Sequence, residues 1–453
     1  MNTFNMTNPI IALSLVVTIG AGNALAAAPG PCDIYATAST PCVAAHSTTR
    51  ALFAAYNGAL YQVRRTSDNA TKDIGVMATG GVVKISTQDS FLNGKAGTIS
   101  IIYDQTTNHN DLKKSGKVYW LSNGGTEGNA TGGQIKIDGK TAYGIYVTGN
   151  SGNVAYRNNA TKGVATGNTA ESMYAVVDGK RYSSSCCFDY GNAETSGNDD
   201  GNGTMEAIYW GTDVGWGGYG QGSGPWIAAD LENGMFKGNA GGYQYGDSHK
   251  TPWATAKTVN VKYASLVLKG PSTNKFTIKA GDAQSGKLVT MWDSIRPTPS
   301  YSPKKLQGAI ILGTGGDGSP GGTGTFYEGA MTTGNPPDSI DDKIQANIVA
   351  AGYGSLTTGI EGNGTANHQG ISLAYDSRSA DVRIDYTLDR PAKVRIRILD
   401  LRGRVVAVIA DGELSAGAHD AVWSTAKRYS GMFAAAMEID GRTASTGDVI
   451  VGR

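Results

Sequence analysis

The chain has 453 residues, too many for one ordinary domain and enough for a large core, so two domains are expected. Its 39 basic and 38 acidic side chains nearly cancel, which removes nucleic acid and anionic membrane surfaces as charge-driven partners and favours a neutral one. Glycine stands at 64 residues, about twice the usual ~7%, and 22 tyrosines with 7 tryptophans outweigh 8 phenylalanines, the make-up of a turn-rich all-β protein that handles sugars, whether enzyme, lectin or adhesin.

The first element along the chain is an apolar stretch from Ile10 to Ile19, followed by small residues and an Ala24-Leu25-Ala26 site. It reads as a secretory signal peptide over residues 1–26, too short to span a bilayer, although Met1 to Asn8 carries no Lys or Arg. Export permits disulfides. The 4 cysteines divide by position into Cys32-Cys42 and Cys186-Cys187, with cross pairing as the alternative.

From Ala51 to Ala351 short β-rich runs alternate with clusters of Gly, Asn, Asp and Ser, and the runs Gly80 to Ser86 and Thr258 to Tyr263 are read as strands. Many strands with frequent turns give a sandwich or a barrel. Cys186-Cys187 interrupts this pattern. Consecutive Cα atoms lie ~3.8 Å apart across a trans peptide, below the ~4.4–6.8 Å span of a disulfide. A bridge between neighbours is therefore strained, and strain persists where the fold enforces it for a purpose. A bridged pair presents a rigid, apolar sulfur face to a ligand; two buried free thiols are the alternative, and the segment alone does not choose. Helical periodicity is confined to Ser339–Ala351, with Ile340, Ile344, Ile348 and Val349 in step after the turn at Pro336-Pro337-Asp338. Residues 357–370 are rich in Gly, Asn and Thr and read as a linker. Beyond it Asp381 to Tyr386 and Ala392 to Asp400 alternate with period two. Val394, Ile396 and Ile398 then share one face and Lys393, Arg395 and Arg397 the other, as in a half-buried antiparallel sheet.

Longer blocks of text carry more. Gly30-Pro31-Cys32-Asp33-Ile34-Tyr35, Pro41 to Leu52, Ile102-Tyr103-Asp104-Gln105, the Cys186-Cys187 segment, Gly224 to Gly234, Gly308 to Gly313 and Gln345 to Ala351 together span about residues 29–355. They resemble the fungal α-L-arabinofuranosidases of glycoside hydrolase family 54. The resemblance implies a jelly-roll-like β-sandwich catalytic domain, assigned to residues 27–356. In those relatives a further cysteine pair brackets the segment before Ile-Tyr-Asp-Gln, where this chain has Leu92 and Gly97. The tail differs too. Ile398 to Val406, Gly412 to His419, Gly431-Met432-Phe433 and the terminal Val449 to Arg453 resemble the C-terminal sorting domains of type IX secretion cargo, so residues 371–453 are expected to form a small Ig-like β-sandwich that engages export machinery. Nothing in it matches the arabinose-binding trefoil module that ends the fungal enzymes.

Retaining hydrolysis of a glycoside needs one carboxylate to attack the anomeric carbon and one carboxylic acid to protonate the leaving oxygen, about 5–5.5 Å apart. The resemblance names Glu232 as nucleophile and Asp317 as general acid/base. It also assigns Cys186, Cys187, Trp216, Asp230, Asn233 and Gly316 to substrate binding, with a one-residue insertion near Trp216. If Trp226 to Leu231 is a strand, Asp230 and Glu232 share a face with Trp226 and Ala228. The two roles require Glu232 to be ionised and Asp317 protonated.

Other chemistries lack their residues. The 5 histidines are scattered, with no His-Glu-x-x-His and no Cys-x-x-Cys, so no metal is expected. No Gly-x-Ser-x-Gly elbow occurs, and Gly313 to Gly324 lacks the Gly-Lys-Ser/Thr of a phosphate loop. The acidic run Asn198-Asp199-Asp200-Gly201-Asn202 reads as a solvated turn rather than a calcium site. The expectation is a secreted, monomeric, retaining exo-α-L-arabinofuranosidase needing no cofactor. It would strip arabinose from arabinoxylan or arabinan of plant cell walls, outside the cell and with attachment at the cell surface as an option. An endo-xylanase on a related sandwich and a non-catalytic glycan-binding surface protein are the alternatives.

Overall fold

The computed structural model describes residues 28–216, 219–237, 253–297, 300–354, 371–376, 381–388, 390–400, 404–425, 429 and 431–451. The expected signal peptide and linker lie outside them. Two large antiparallel sheets carry the first part of the chain. One is seven-stranded, with Cys42–Ser47, Gly324–Thr333, Glu171–Asp178, Tyr263–Gly270, Lys275–Asp282 and Ser285–Ile295 in spatial order, and Ile145–Val147 beside Gly324–Thr333. The other is eleven-stranded and runs from Met235–Phe236 through Trp226–Asp230, Glu206–Gly211, Asp189–Ala193, Ala309–Leu312 and Tyr156–Asn158 towards Thr71–Gly75.

The sheets face each other across one core. Ala175, Val177, Leu266 and Phe326 from the first meet Tyr190, Ile208, Trp210 and Leu312 from the second between the sheets, and the Tyr190 and Phe326 rings lie 4.9 Å apart. This is the expected β-sandwich. The central strands of the seven-stranded sheet are buried on their outer side as well. There the helix Asp338–Ala350 lays Asp341 between Lys269 and Lys279 (3.0 and 2.8 Å) and Gln345 against Ser265. Cover on both sides explains why Glu171–Asp178 and Tyr263–Gly270 are buried along almost their whole length instead of alternating.

The helix matches the periodicity read from the sequence. Two shorter ones, Pro31–Ala36 and Ile85–Leu92, were not foreseen. The run Gly80 to Ser86 is not a strand: Val82 and Val83 make isolated bridges, and Ile85 already begins the helix. Thr258 to Tyr263 is a connection between Trp253–Lys257 and Tyr263–Gly270, its Thr258 and Val259 N–H groups donating to the carbonyls of Gln221 and Pro225. Cys32 and Cys42 are bridged, with Cα atoms 5.5 Å apart.

The tail has its own core of Val382, Ile384, Val394, Ile396, Ile398, Trp423, Phe433 and Met437. A three-stranded sheet (Ile371–Asp376, Asp381–Leu388, Gly417–Ser424) and a four-stranded one (Val405–Leu414, Ala392–Leu399, Gly431–Ile439, Arg442–Val451) supply it. Ala392–Leu399 alternates as expected, Val394, Ile396 and Ile398 inward.

Candidate active site

Alternation along the large sheet creates the site. In Trp226–Asp230 the side chains of Ile227 and Ala229 enter the sandwich core. Ala228 and Asp230 point the other way, and Ala228 meets Cys187, Tyr209 and Met235 in a separate cluster on the outer face. Over this face, loops from several strand ends line a partly open cavity, about 390 Å³ of space with its solvent-open part included. Its walls are Cys186, Cys187, Trp216, Asp230, Glu232, Asn233, Gly316 and Asp317, every site residue expected from sequence, together with Asp199, Gly234, Met235, Gly315 and Ser319.

Glu232 does not reach the cavity by strand alternation. The strand stops at Asp230, and Glu232 and Asn233 take left-handed φ values of 63° and 57°, uncommon outside glycine. The turn is closed by Leu231 N–H donating to the Gly234 carbonyl (3.1 Å) and by Glu232 N–H donating to Asp230 Oδ1 (3.1 Å). The backbone, held in a sparsely populated region, sets the direction of the glutamate. Asn233 is fixed through Nδ2, which donates to Asp199 Oδ1 (2.9 Å), and through its carbonyl, which accepts from the Tyr301 hydroxyl (3.1 Å). The acidic run read as a solvated turn thus lends Asp199 to the cavity wall.

Cys186 and Cys187 are bridged to each other. Their peptide bond is cis, bringing the Cα atoms to 3.0 Å rather than the trans separation assumed from sequence. Cys187 Sγ lies 3.6 Å from Asp230 Oδ2. These two sulfurs and a carboxylate oxygen of Asp230 cluster within 4.8 Å, but bridged sulfurs have no thiolate to offer a metal. Trp216 packs on the same apolar cluster as Cys187, its backbone N–H donating to Asp213 Oδ1 (3.0 Å). Asp317 is half-buried, and its Oδ1 accepts from both the N–H (3.0 Å) and the hydroxyl of Ser319.

Carboxylates crowd this face. Asp189, at the start of its strand, lies fully buried beside Asp230 with no N–H or O–H donor on either oxygen. Burial, then the Asp230 charge, pushes Asp189 well up, and burial raises Asp230 to about 7. Two facing carboxyls in such a position share a proton. A second pair has the same form. Glu194 accepts from the Thr204 hydroxyl at Oε1 (2.6 Å) and turns Oε2, which has no N–H or O–H partner, to Glu232. Burial first, then the charges of Glu194 and Asp230, push Glu232 up to about 12, and burial raises Glu194 as well. These surroundings favour the protonated form of Glu232, against the ionised form that its expected role requires.

Two cations temper the charge. Arg157 donates from Nη1 to the Gly316 carbonyl (2.6 Å) and from Nη2 to that of Glu194, tying the two acidic loops together. Buried Lys237, pushed down to about 8 by burial, donates to the Asp213 carbonyl (2.9 Å). Sequence reading missed Asp189, Glu194, Arg157, Lys237 and Asp199. Only Asp189 and Glu194, flanking a β-run directly after Cys186-Cys187, carried a local hint.

Residues 31–354 match the family described as alpha-L-arabinofuranosidase B, catalytic. The chain is 46% identical over 375 residues to alpha-L-arabinofuranosidase B of Emericella nidulans, covering 82% of this chain and 70% of that one. It is 48% identical over 348 residues to the arabinofuranosidase/β-xylosidase of Trichoderma koningii, covering 75% and 66%. Among solved structures, an arabinofuranosidase complexed with arabinofuranosyl-α-1,2-xylobiose superposes with a TM-score of 0.68 at 40% identity, covering 83% of this chain and 75% of that one. A family 54 α-L-arabinofuranosidase soaked with a cyclic sulfate inhibitor gives 0.68 and 40%, covering 81% and 74%.

Proposed function

Because this chain belongs to the α-L-arabinofuranosidase B catalytic family and is an α-L-arabinofuranosidase, a glycoside hydrolase, we propose that Glu232 is its nucleophile and Asp317 its general acid/base. The carrying observation is that these two acids, 85 positions apart in the chain (317 minus 232), line one small cavity with a vicinal disulfide and a tryptophan. A terminal arabinofuranose rests its apolar side on Cys186-Cys187 and Trp216. Asp230, Asn233 and the Gly316 backbone take its hydroxyls.

The Glu194–Glu232 pair holds one proton near neutrality, and attack starts from the form in which that proton sits on Glu194. The Glu232 carboxylate bonds to the anomeric carbon while the bond from that carbon to the leaving oxygen breaks. The oxygen takes the Asp317 proton. Asp317, now a carboxylate, removes a proton from water, whose oxygen attacks the same carbon and frees Glu232 with net retention. A single compact cavity holding both acids fits removal of single terminal residues from arabinoxylan or arabinan. On 4-nitrophenyl α-L-arabinofuranoside, Glu232→Gln and Asp317→Asn each lower kcat at least about a thousandfold; wild-type turnover surviving both substitutions refutes the assignment.

Residues 27–356 form the catalytic unit in this reading, and the separately cored tail is a type IX-like sorting module that directs export and holds the enzyme at the cell surface. Its resemblance to sorting domains supports this. Intact-mass measurement of the exported protein tests it: loss of residues 1–26, with the tail removed or modified, is expected. The name of the Trichoderma koningii relative favours one second activity, on β-xylosides, measured with 4-nitrophenyl β-D-xyloside.

A further inference from the structure

Tyr119 and Trp120 are 64% and 60% exposed, the two most exposed aromatic side chains among the described residues, and they stand edge to face with ring centres 5.0 Å apart. A fold gains nothing by leaving an indole in water, and an exposed apolar patch beside a cavity marks a binding surface. Their backbone ties them to the site. Trp120 N–H donates to the Asp317 carbonyl (3.1 Å), and Tyr119 N–H donates to the Gly197 carbonyl (3.0 Å). Val118 is wedged between the same two loops. A Cβ on Gly197 or on Gly318 would come within 2.3 Å of its methyl groups, so the fit needs both glycines. Those loops carry Asp199 and Asp317 into the cavity wall. The aromatic pair therefore stands on the rim, on the side of the acid.

Granting the roles proposed above, the leaving oxygen is the atom Asp317 protonates, so the sugar attached to that oxygen leaves the cavity on this side. We propose that Tyr119 and Trp120 form a platform for the backbone sugar of the polysaccharide, the residue from which arabinose is cleaved. Flat aromatic faces take the C–H faces of sugars, and a platform outside the arabinose cavity accepts a xylan or an arabinan backbone alike.

The test compares substrates with and without a leaving-group sugar: arabinoxylan oligosaccharides and arabinan against methyl α-L-arabinofuranoside. Trp120→Ala is expected to lower kcat/KM about tenfold on the sugar-linked substrates, equivalent to about 1.4 kcal/mol. The loss lies mainly in KM, Trp120→Phe recovers part of it, and the methyl glycoside changes less than twofold. Tyr119→Ala follows the same pattern more weakly. Equal losses on all substrates, or no loss on the sugar-linked ones, overturn the platform. Wild-type protein that releases no arabinose from any of them refutes the parent reading instead.

Discussion

Glu171 is buried without full compensation, and its substitution by Gln tests how the fold handles that charge. Asn192 Nδ2 donates to its Oε2 (3.0 Å), while Oε1 has no partner. The nearby cations are committed elsewhere: Lys304 and Arg296 bind Glu206 at 3.0 and 2.8 Å. Burial, opposed by Lys304 but helped by the Glu206 charge, raises Glu171 from 4.5 to about 8. The folded protein therefore holds a proton that the unfolded chain releases near 4.5. Stability is complete below that value and declines as pH rises through about 8. The 3.5-unit gap (8 minus 4.5) sets a ceiling of about 5 kcal/mol at ~1.4 kcal/mol per unit. Coupling to the Glu206 cluster reduces it, and about 2 kcal/mol is expected. Glu171→Gln keeps the Asn192 bond and has no proton to lose. In urea unfolding at pH 5, 7 and 9 the advantage of the variant over wild type should grow with pH; a difference that stays flat refutes the reasoning.

Glu194→Gln keeps an acceptor for Thr204 but takes away the acid that shares the Glu232 proton. Activity then follows the ionisation of Glu232 alone, and the acid limb of kcat/KM moves up by at least about one pH unit; an unmoved limb would show that Glu194 holds no such proton. Arg50 donates to both oxygens of fully buried Glu328 (2.6 and 2.6 Å), which also accepts from Tyr174 and Tyr353. Arg50→Met strands that carboxylate and should cost about 3–5 kcal/mol in denaturant unfolding; a loss below about 1 kcal/mol contradicts it.

What was legible in the chain was local. The stripe Ile340, Ile344, Ile348 gave the helix to within a residue, and the alternation of Ala392–Leu399 gave its inward face. Gly80 to Ser86 misled because β-branched residues suit strands, yet Gln88 and Leu92 bury their side chains from a helix that begins inside that run. The site residues came from long matching text, and the cavity gathers all of them. Their environment did not come with it. Glu232 sits in a left-handed turn that no period predicts, and the carboxyl of Glu194 meets it only because the loops after two different strands converge. Neighbours brought together by folding, not residue type, decide which acid keeps its proton.

The strand Trp226–Asp230 answers to two constituencies. Its odd-numbered members, Ile227 and Ala229, are judged by how well they fill the sandwich, and of the others Ala228 supports Cys187 and Met235 from beneath while Asp230 lines the cavity. Engineering for heat tolerance can work on the first set while reshaping of specificity works on the second, provided the bend at Glu232 is left alone, because that bend alone answers to both.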